Sequence, residues 1–261
     1  GLAEKSQQVI QQAVRNMGYM NAKVNLNKEI KKNKLKLNYQ IKTGPIYQVN
    51  HIAYHIDDVQ IQEIIDKDSA SSYLYKGMPF DVMVLDNERQ RITKLLQGYG
   101  YYKFNKDFLV YQADTVKNTR QVDLTMKLLP YQRRKEDTPT KHQQYAIRNV
   151  NFIQGSSIIN FDNEYNQYDS AHYKGINVYY NDKMYIRPNT LYDFNRIRPQ
   201  DLYNEADIQD TYESLGRLRA LKYANIRFNE ITQNDSVLLD ANIVMAKGKD
   251  KSLSFEIEGT N

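Results

Sequence analysis

The chain has 261 residues with 36 basic and 31 acidic side chains, which leave a net charge of +5 at pH 7. This length exceeds the roughly 100–150 residues of a typical domain, so we expect two or three modules. The basic residues are interspersed with almost as many acidic ones, and this pattern argues against a nucleic-acid partner. The absence of cysteine excludes disulfides, thiolate metal sites and a cysteine nucleophile.

The first 46 residues contain one helix and two strands. Apolar periodicity predicts a helix from about Glu4 to Met17, and alternation predicts strands over Ala22–Asn27 and Leu35–Thr43. No residues before this helix supply an opening strand or a first helix. We therefore interpret residues 1–46 as a partial copy of the unit that follows.

Residues 47–132 carry the complete order β-α-α-β-β. An alternating strand that ends at Ile56 precedes a short helix. We expect Asp86 to cap a second helix, because Asp accepts hydrogen bonds from free amides, and Gly100 to end it. Two strands follow, and the first is predicted over Phe104–Tyr111.

Residues 145–248 repeat this order with an insertion at about 155–188. The register of the repeat rests on two aligned patterns, Tyr47-x-Val49-x-x-Ile52-x-Tyr54 and Tyr145-x-Ile147-x-x-Val150-x-Phe152. Further along, Pro199 is matched to Pro79. A helix from about Glu205 to Leu221 is predicted to lead into strands at Ile226–Ile231 and Ser236–Ala246.

Within the insertion, Asn181-Asp182 is a turn-prone pair between two short apolar stretches. This pattern predicts a hairpin of Ile176–Tyr180 and Lys183–Ile186, whereas the polar stretch Asn160–Tyr173 is predicted to be a loop. Residues 133–144 carry charged and polar side chains and are interpreted as a linker.

A tyrosine follows the second helix in each copy, at Tyr19, Tyr101 and Tyr223. We interpret these residues as structural repeat marks whose rings pack between helix and sheet. They fix the point at which each helix ends and the next strand begins.

The segment Lys76-Gly77-Met78-Pro79-Phe80, the helix after it and the closing Gly100-Tyr101-Tyr102 resemble POTRA domains of BamA/TamA-type outer-membrane protein assembly factors, the bacterial surface antigen family. The hairpin-bearing last repeat and the composition rich in Asn and Tyr resemble TamA-like members from Bacteroidetes-type bacteria. The resemblance implies an α+β fold of tandem repeats, each a three-stranded mixed sheet covered by two helices. It also implies a periplasmic position beside a C-terminal β-barrel absent here, which residues 249–261 would approach.

The resemblance further implies that the strand after each second helix binds another chain by β-augmentation. Expected partners are unfolded outer-membrane proteins and periplasmic or inner-membrane accessory proteins. The peptide-binding residues expected on these edge strands are Phe104, Lys106, Phe108, Leu109, Val110 and Tyr111, together with Ile226 and Phe228.

Two alternatives remain open at this point. A POTRA-bearing two-partner secretion transporter would share the repeats, although it normally has two of them, and a Tyr-rich glycan-binding module would use aromatic shelves within Tyr165–Tyr185. An enzyme is not expected, because nucleophile-elbow, phosphate-loop and zinc-helix motifs are missing from the sequence. His51 and His55 lie on a predicted strand without a third ligand, so neither a metal nor a cofactor is expected.

Overall fold

The computed structural model describes residues 1–31, 34–132, 134, 136–155, 168–233 and 236–248. The expected approach to a barrel, residues 249–261, and the first part of the predicted insertion loop lie outside the described residues. The chain divides into two compact units. The first comprises Gly1–Leu96 with Phe104–His142, and the second comprises Gln97–Lys103 with the residues from Gln143 onward.

The first unit opens with helix α1, Leu2–Asn16, which packs on an antiparallel hairpin of β1, Lys23–Lys31, and β2, Lys34–Lys42. The predicted helix and both strands are confirmed, although β1 runs four residues beyond the predicted Asn27. Alternation places Val24 on the helix side of the hairpin, where it is buried. β1 and β2 form a separate sheet of two strands, whereas a complete repeat was expected to have three.

The rest of the first unit follows the predicted β-α-α-β-β order. Its elements are β3 at Gln48–His55, α2 at Val59–Lys67, α3 at Val82–Gln97, β4 at Leu109–Thr115 and β5 at Gln121–Leu128. The sheet order is β3-β5-β4, with β3 parallel and β4 antiparallel to the central β5. The three-stranded mixed sheet with two helices is therefore confirmed for this region, and its buried core includes Val49, Met78 and Leu124.

The second unit contains a larger sheet than predicted. Its elements are β6 at Ala146–Gly155, β7 at Asp169–Tyr173, β8 at Ile176–Tyr180, α4 at Pro188–Phe194, α5 at Glu205–Gly216, β9 at Leu221–Gln233 and β10 at Ser236–Lys247. The strand order is β7-β8-β6-β10-β9. The three-stranded mixed sheet β6-β10-β9 is present, and the inserted hairpin extends it by two strands beside β6.

The inserted hairpin lies earlier in the chain than predicted, because Ile176–Tyr180 is its second strand rather than its first. Its turn is Lys174-Gly175, where both residues have positive φ, 44° and 86°. Two positive φ angles match the twist of a tight hairpin, so β7 pairs with β8 and the predicted loop is partly strand. The predicted strand Lys183–Ile186 does not form. Its backbone is bound instead by the Gln154 side chain, which accepts from the Tyr185 and Ile186 amides at 2.9 and 3.0 Å.

Helix α3 begins four residues before the predicted cap. Asp81 accepts a hydrogen bond from the Met83 amide at 2.8 Å, so Asp81 rather than Asp86 satisfies the free amides at this end. Asp86 lies inside the helix and binds the Lys106 ammonium at 2.9 Å. The hydrogen bonds from Lys106 and Gln90 lower the pKa of Asp86.

The register between the repeats is confirmed at its start and wrong at its proline. The amides of Gly77 and Gln200 donate to the carbonyls of Val49 and Ile147, each at 2.7 Å. Both donors have positive φ, 89° and 74°. Gln200 is therefore the equivalent of Gly77, and Pro199 does not correspond to Pro79.

Part of the predicted linker, residues 133–144, packs within the first unit, which extends to His142. Tyr131 and Thr140 exchange backbone hydrogen bonds of 2.9 Å in both directions. The His142 imidazole then packs against Phe104 and Phe108, with ring centroids 4.9 and 4.7 Å apart. This segment folds back on the unit that precedes it, so an interpretation as a simple spacer is incomplete.

Candidate strand-docking edges

Among the residues that the structure describes, three strands follow a long helix, and each lies at the edge of its sheet. They are β1 after α1, β4 after α3 and β9 after α5. An edge strand leaves every second backbone amide and carbonyl without a ladder partner, which makes it a template for another strand. The candidate site therefore depends on whether side chains of the preceding helix form hydrogen bonds with the outward backbone groups of each edge strand.

The segment before β4 is not the strand that the sequence predicted. Lys106–Phe108 is a short 3-10 turn, whose Asn105 side chain accepts from the Asp107 amide at 2.9 Å. Phe104 is buried, and Phe108 packs on His142. Of the six site residues predicted here, Leu109, Val110 and Tyr111 lie on β4, whereas Phe104, Lys106 and Phe108 do not.

Helix α3 holds this turn in place through one arginine. Arg89 donates from Nε to the Lys106 carbonyl at 3.0 Å, and its guanidinium contacts Asp86 and Asp107, each at 3.2 Å. These contacts provide hydrogen-bond donors for the Lys106 carbonyl and the Asp107 carboxylate, which precede the strand. They leave the backbone from Leu109 onward untouched.

The outward groups of β4 follow from two hydrogen bonds at its ends. The Leu129 amide donates to the Phe108 carbonyl at 2.8 Å, and the Val116 amide donates to the Gln121 carbonyl at 2.9 Å. Even-numbered residues of β4 are therefore bonded to β5. Because the pattern alternates along an antiparallel pair, the odd-numbered residues direct their amides and carbonyls away from β5. They are Leu109, Tyr111, Ala113 and Thr115.

The accessible part of this edge is its second half. Leu109 is buried, whereas Gln112, Ala113, Asp114 and Thr115 are exposed. In the described part of the chain, no side chain bonds to the outward amides of β4. Exposed backbone donors and acceptors thus remain at Ala113 and Thr115.

Tyr111 marks the inner boundary of this open stretch. Its hydroxyl is buried, and it is the one buried side-chain polar atom without a hydrogen-bond partner among the described residues. Burial raises the pKa of the Tyr111 phenol. The ring anchors β4 to the core, while the strand beyond it stays open.

β9 differs because a side chain of its helix binds one of its outward amides. The Ile226 amide donates to the Tyr212 hydroxyl at 2.9 Å, and this hydroxyl donates to the Asn225 side chain at 3.2 Å. Ile226 lies opposite Ile243 on β10, so the bond to Tyr212 identifies an outward amide. Of the two site residues predicted on β9, Ile226 is already bound by its own helix.

The second predicted residue of β9, Phe228, contributes its ring to an aromatic cluster. The Tyr102 ring packs against Tyr203 and Phe228 with centroids 4.9 and 5.5 Å apart. The Lys103 ammonium binds the Glu230 carboxylate at 2.6 Å on the same strand. Sequence reasoning missed Tyr102, although its position next to the repeat mark Tyr101 was a usable signal.

β1 is capped in the same way as β9. The Val24 amide donates to Gln11 Oε1 at 3.0 Å, and the Val24 carbonyl accepts from Gln7 Nε2 at 2.6 Å. Both glutamines belong to α1. Helix side chains therefore bind one outward residue of β1, Val24, and one of β9, Ile226, whereas no helix side chain binds an outward amide of β4 among the described residues.

The tyrosine marks are only partly equivalent. Gly18 and Gly100 both have positive φ and end their helices just before Tyr19 and Tyr101, the second of which is buried. Each glycine carbonyl accepts a 2.8 Å hydrogen bond from the residue just before the first strand of the following repeat, Gly18 from the Tyr47 amide and Gly100 from the Tyr145 amide. Tyr223 lies inside β9 instead, because α5 ends at Gly216.

The described residues also form a cleft. A cleft of about 320 Å³ in the first unit is lined by Asp57, Asp58, residues 128–130 and residues 139–142. No group of three or more metal-ligating His, Cys, Asp or Glu side chains occurs in the described ranges. None of the helices formed by those residues is both long and apolar enough to cross a bilayer.

Comparison with known proteins gives a fold. No family model matches the chain, and no curated protein matches its sequence. The crystal structure of BamA from Haemophilus ducreyi lacking POTRA domains 1–3 is similar, with a TM-score of 0.52 and 10% identity over 77% of this chain and 30% of that one. The chain has the POTRA fold. POTRA domains 3–5 of Haemophilus influenzae BamA align at 13% identity and a TM-score of 0.49, over 93% of this chain and 79% of theirs.

With the POTRA fold in place, the α+β class predicted from the sequence is confirmed. The chain spans 30% of the length of the aligned Haemophilus ducreyi chain. The predicted repeat boundaries and peptide-binding residues remain predictions.

Proposed function

We propose that this chain is the periplasmic region of an outer-membrane protein assembly or translocation factor, and that the β4 edge binds extended segments of its clients. The observation that carries the proposal is the row of outward backbone groups at Ala113 and Thr115. Their direction follows from the hydrogen bonds at the two ends of β4. The shared POTRA fold supports the assignment to this class of protein.

Backbone pairing suits a protein that handles many unfolded clients. A strand added to an open edge gains main-chain hydrogen bonds with little demand on its sequence, and selectivity comes from alternate side chains. Transmembrane barrel strands are segments of about ten residues with alternating hydrophobicity, so they have the length and periodicity to pair with β4. We propose that accessory proteins bind elsewhere and that the chain acts beside its own barrel.

The charges on β4 fit selective rather than promiscuous pairing. Asp114 lies on the open half of the strand, directly opposite Asp123 of β5. Charged residues on an edge strand discourage uncontrolled aggregation, because burying them without a partner is unfavourable. A client strand therefore gains most where it offers a cation or a polar side chain next to Asp114.

Site-specific photo-crosslinking tests this proposal. A benzophenone amino acid replaces Gln112 on β4 or, as a matched control, Asn229 on β9, since both positions are exposed. The probe is a urea-denatured outer-membrane β-barrel protein diluted into each variant. We expect the Gln112 variant to form several times more crosslinked product, mapped by mass spectrometry to alternating barrel segments. Equal yields at both positions, or no product at Gln112, would overturn the proposal.

A further inference from the structure

We infer that the cleft of the first unit binds an arginine side chain of a partner protein. This inference is independent of the proposed function, which concerns the β4 edge. The cleft has a volume of about 320 Å³, at the small end of the roughly 300–1,000 Å³ that ligand sites span. A volume of this size suits one long side chain.

Two parallel strands bring the first two walls of the cleft together. β3 and β5 run side by side in the same direction, with His55 opposite Lys127 near their ends. Asp57 and Asp58, which follow β3, therefore leave the sheet beside Leu129, which follows β5. One wall thus carries two carboxylates, and the other presents an apolar surface.

Residues 139–142 form the third wall and are fixed to the first unit at two points. The backbones of Thr140 and Tyr131 exchange two hydrogen bonds of 2.9 Å. His142 Nε2 donates to the Leu129 carbonyl at 2.8 Å. These contacts hold the imidazole at the cleft in a defined orientation.

The cleft offers hydrogen-bond acceptors that the protein does not use. Because His142 Nε2 carries the donated proton, Nδ1 of the neutral ring is an acceptor. Asp58 uses Oδ1 to accept from the Gln60 and Ile61 amides at 3.1 and 3.3 Å. In the part of the chain that the structure describes, neither Asp58 Oδ2 nor His142 Nδ1 has a hydrogen-bond partner. Burial lowers the pKa of His142, which favours the neutral ring.

The charges around the cleft select a cation. Asp57 and Asp58 contribute two negative charges and Lys141 one positive charge, so the lining carries a net charge of −1 when His142 is neutral. The amides at the start of α2 that Asp58 binds are no longer available to an anion. A metal ion is a poor occupant, because no group of three or more ligating side chains forms among the described residues.

A guanidinium group fits this arrangement better than an ammonium group. It has five N–H donors and no acceptor, and it binds carboxylates through paired hydrogen bonds. An ammonium group is more strongly hydrated and carries its donors on one atom. The apolar stem of an arginine can pack along Leu129 and Pro130, which are exposed, Leu129 at 42%. The tip and the stem of one arginine therefore match the two walls.

The open shape of the cleft favours a side chain of a partner protein over a free small molecule. The Asp57 side chain is 95% exposed, so a ligand beside it stays in contact with water. Sites for small molecules normally bury roughly 70–90% of the ligand surface. A partner protein adds contacts outside the cleft, so its affinity does not depend on the cleft alone.

Nuclear magnetic resonance of the histidine rings in the whole chain tests the inference. The probe is the capped peptide acetyl-Gly-Arg-Gly-amide, and the matched control replaces arginine with citrulline, which has the same shape without the charge. We expect the arginine peptide to shift the His142 signal saturably and the citrulline peptide to bind at least roughly fivefold more weakly, because exposed ion pairs are lost. The His142 signal is assigned from its absence in His142→Phe, and His172 in the second unit is the internal reference.

Charge variants of the cleft locate the binding. Asp58→Asn removes a carboxylate but keeps a good helix cap, and it should weaken binding of the arginine peptide by roughly three- to fivefold. The control is Asp66→Asn, an equal change of charge on an exposed residue at the other end of α2, which should leave the affinity unchanged. Lys141→Gln removes the one cation of the lining and should strengthen binding by about twofold.

Three results would overturn the inference. The first is equal binding of the arginine and citrulline peptides, or no saturable shift of His142. The second is an equal loss of affinity in Asp58→Asn and Asp66→Asn, which would indicate attraction by the overall charge of the surface. The third is a peptide with lysine in place of arginine that binds as tightly, because the cleft would then not select guanidinium.

Discussion

β4 and β9 are the outer strands of two related sheets, yet their edges are not equivalent. In the helix before β9, the Tyr212 hydroxyl accepts a hydrogen bond from the Ile226 amide, which lies within the strand. In the helix before β4, the Arg89 guanidinium donates a hydrogen bond to the Lys106 carbonyl, which lies before the strand begins. The first contact occupies one outward amide of β9, whereas the second contacts no outward group of β4.

The difference shows that position in the fold does not by itself make a strand a docking site. β9 is 13 residues long and β4 is 7, so length alone would favour β9. At Ile226, the availability of the backbone amide depends on a single side chain of the neighbouring helix, Tyr212. The following predictions alter that side chain or the surroundings of β4.

Arg89→Ala should have the largest effect on stability. It removes a partly buried guanidinium that holds the turn before β4 through one carbonyl and two carboxylates. We expect the free energy of unfolding of the first unit to fall by about 2 kcal/mol, the usual cost of losing a hydrogen bond to a charged group. Urea denaturation followed by circular dichroism measures this, and a loss near zero would show that the turn holds itself.

Tyr212→Phe should have an intermediate effect on stability. It should also make the β9 edge more like the β4 edge, because it frees an outward amide. The Ile226 amide loses its acceptor, which costs about 1 kcal/mol, and the amide becomes available to an added strand. Hydrogen exchange at Ile226 should accelerate. The control is Tyr192→Phe in the same unit, because the Tyr192 ring binds Arg198 by its face and that contact persists in phenylalanine. Equal protection of Ile226 in wild type and Tyr212→Phe would contradict the assigned cap.

His142 should give the smallest effect, seen as a dependence on pH. Burial among Phe104, Phe108 and Tyr131 lowers its pKa, partly offset by its hydrogen bond to the Leu129 carbonyl and by Asp58. Because the folded pKa lies below the ordinary value of about 6.5, the neutral ring stabilises the fold fully above that value. The contribution is lost as the pH falls through the folded pKa.

Unfolding in urea at pH 7.5 and pH 5 measures the contribution of the neutral His142 ring to stability. The midpoint for the first unit should be lower at pH 5, and His142→Phe should reduce the shift while retaining the ring contacts. A shift of the same size in both proteins would assign the pH dependence to other groups.

The order of elements was predictable because periodicity and glycine report local structure. The aligned patterns beginning at Tyr47 and Tyr145 are confirmed by matching hydrogen bonds of Val49 and Ile147. The register failed at Pro199 because backbone equivalence here depends on positive φ, which Gln200 adopts in place of glycine. A residue that adopts an unusual conformation under tertiary constraint leaves little trace in the sequence.

The candidate site was only half predictable, for a related reason. Phe104–Phe108 has the aromatic content of a strand, yet its rings are drawn into contact with His142, and Arg89 fixes its backbone as a turn. These contacts join residues far apart in the chain. The capping of Ile226 by Tyr212 is equally invisible to a local pattern, although Tyr212 lies only 14 residues earlier.

Proline substitution at the two edges tests the central claim most directly. Ala113→Pro on β4 and Thr232→Pro on β9 each remove an outward amide without breaking a ladder bond, so both folds should survive. Calorimetric titration with a synthetic barrel-strand peptide should show affinity reduced by at least roughly tenfold in Ala113→Pro, as expected for a lost hydrogen bond plus a steric clash. Thr232→Pro should bind as wild type does. Unchanged affinity in Ala113→Pro, with both variants folded by circular dichroism, would contradict the account.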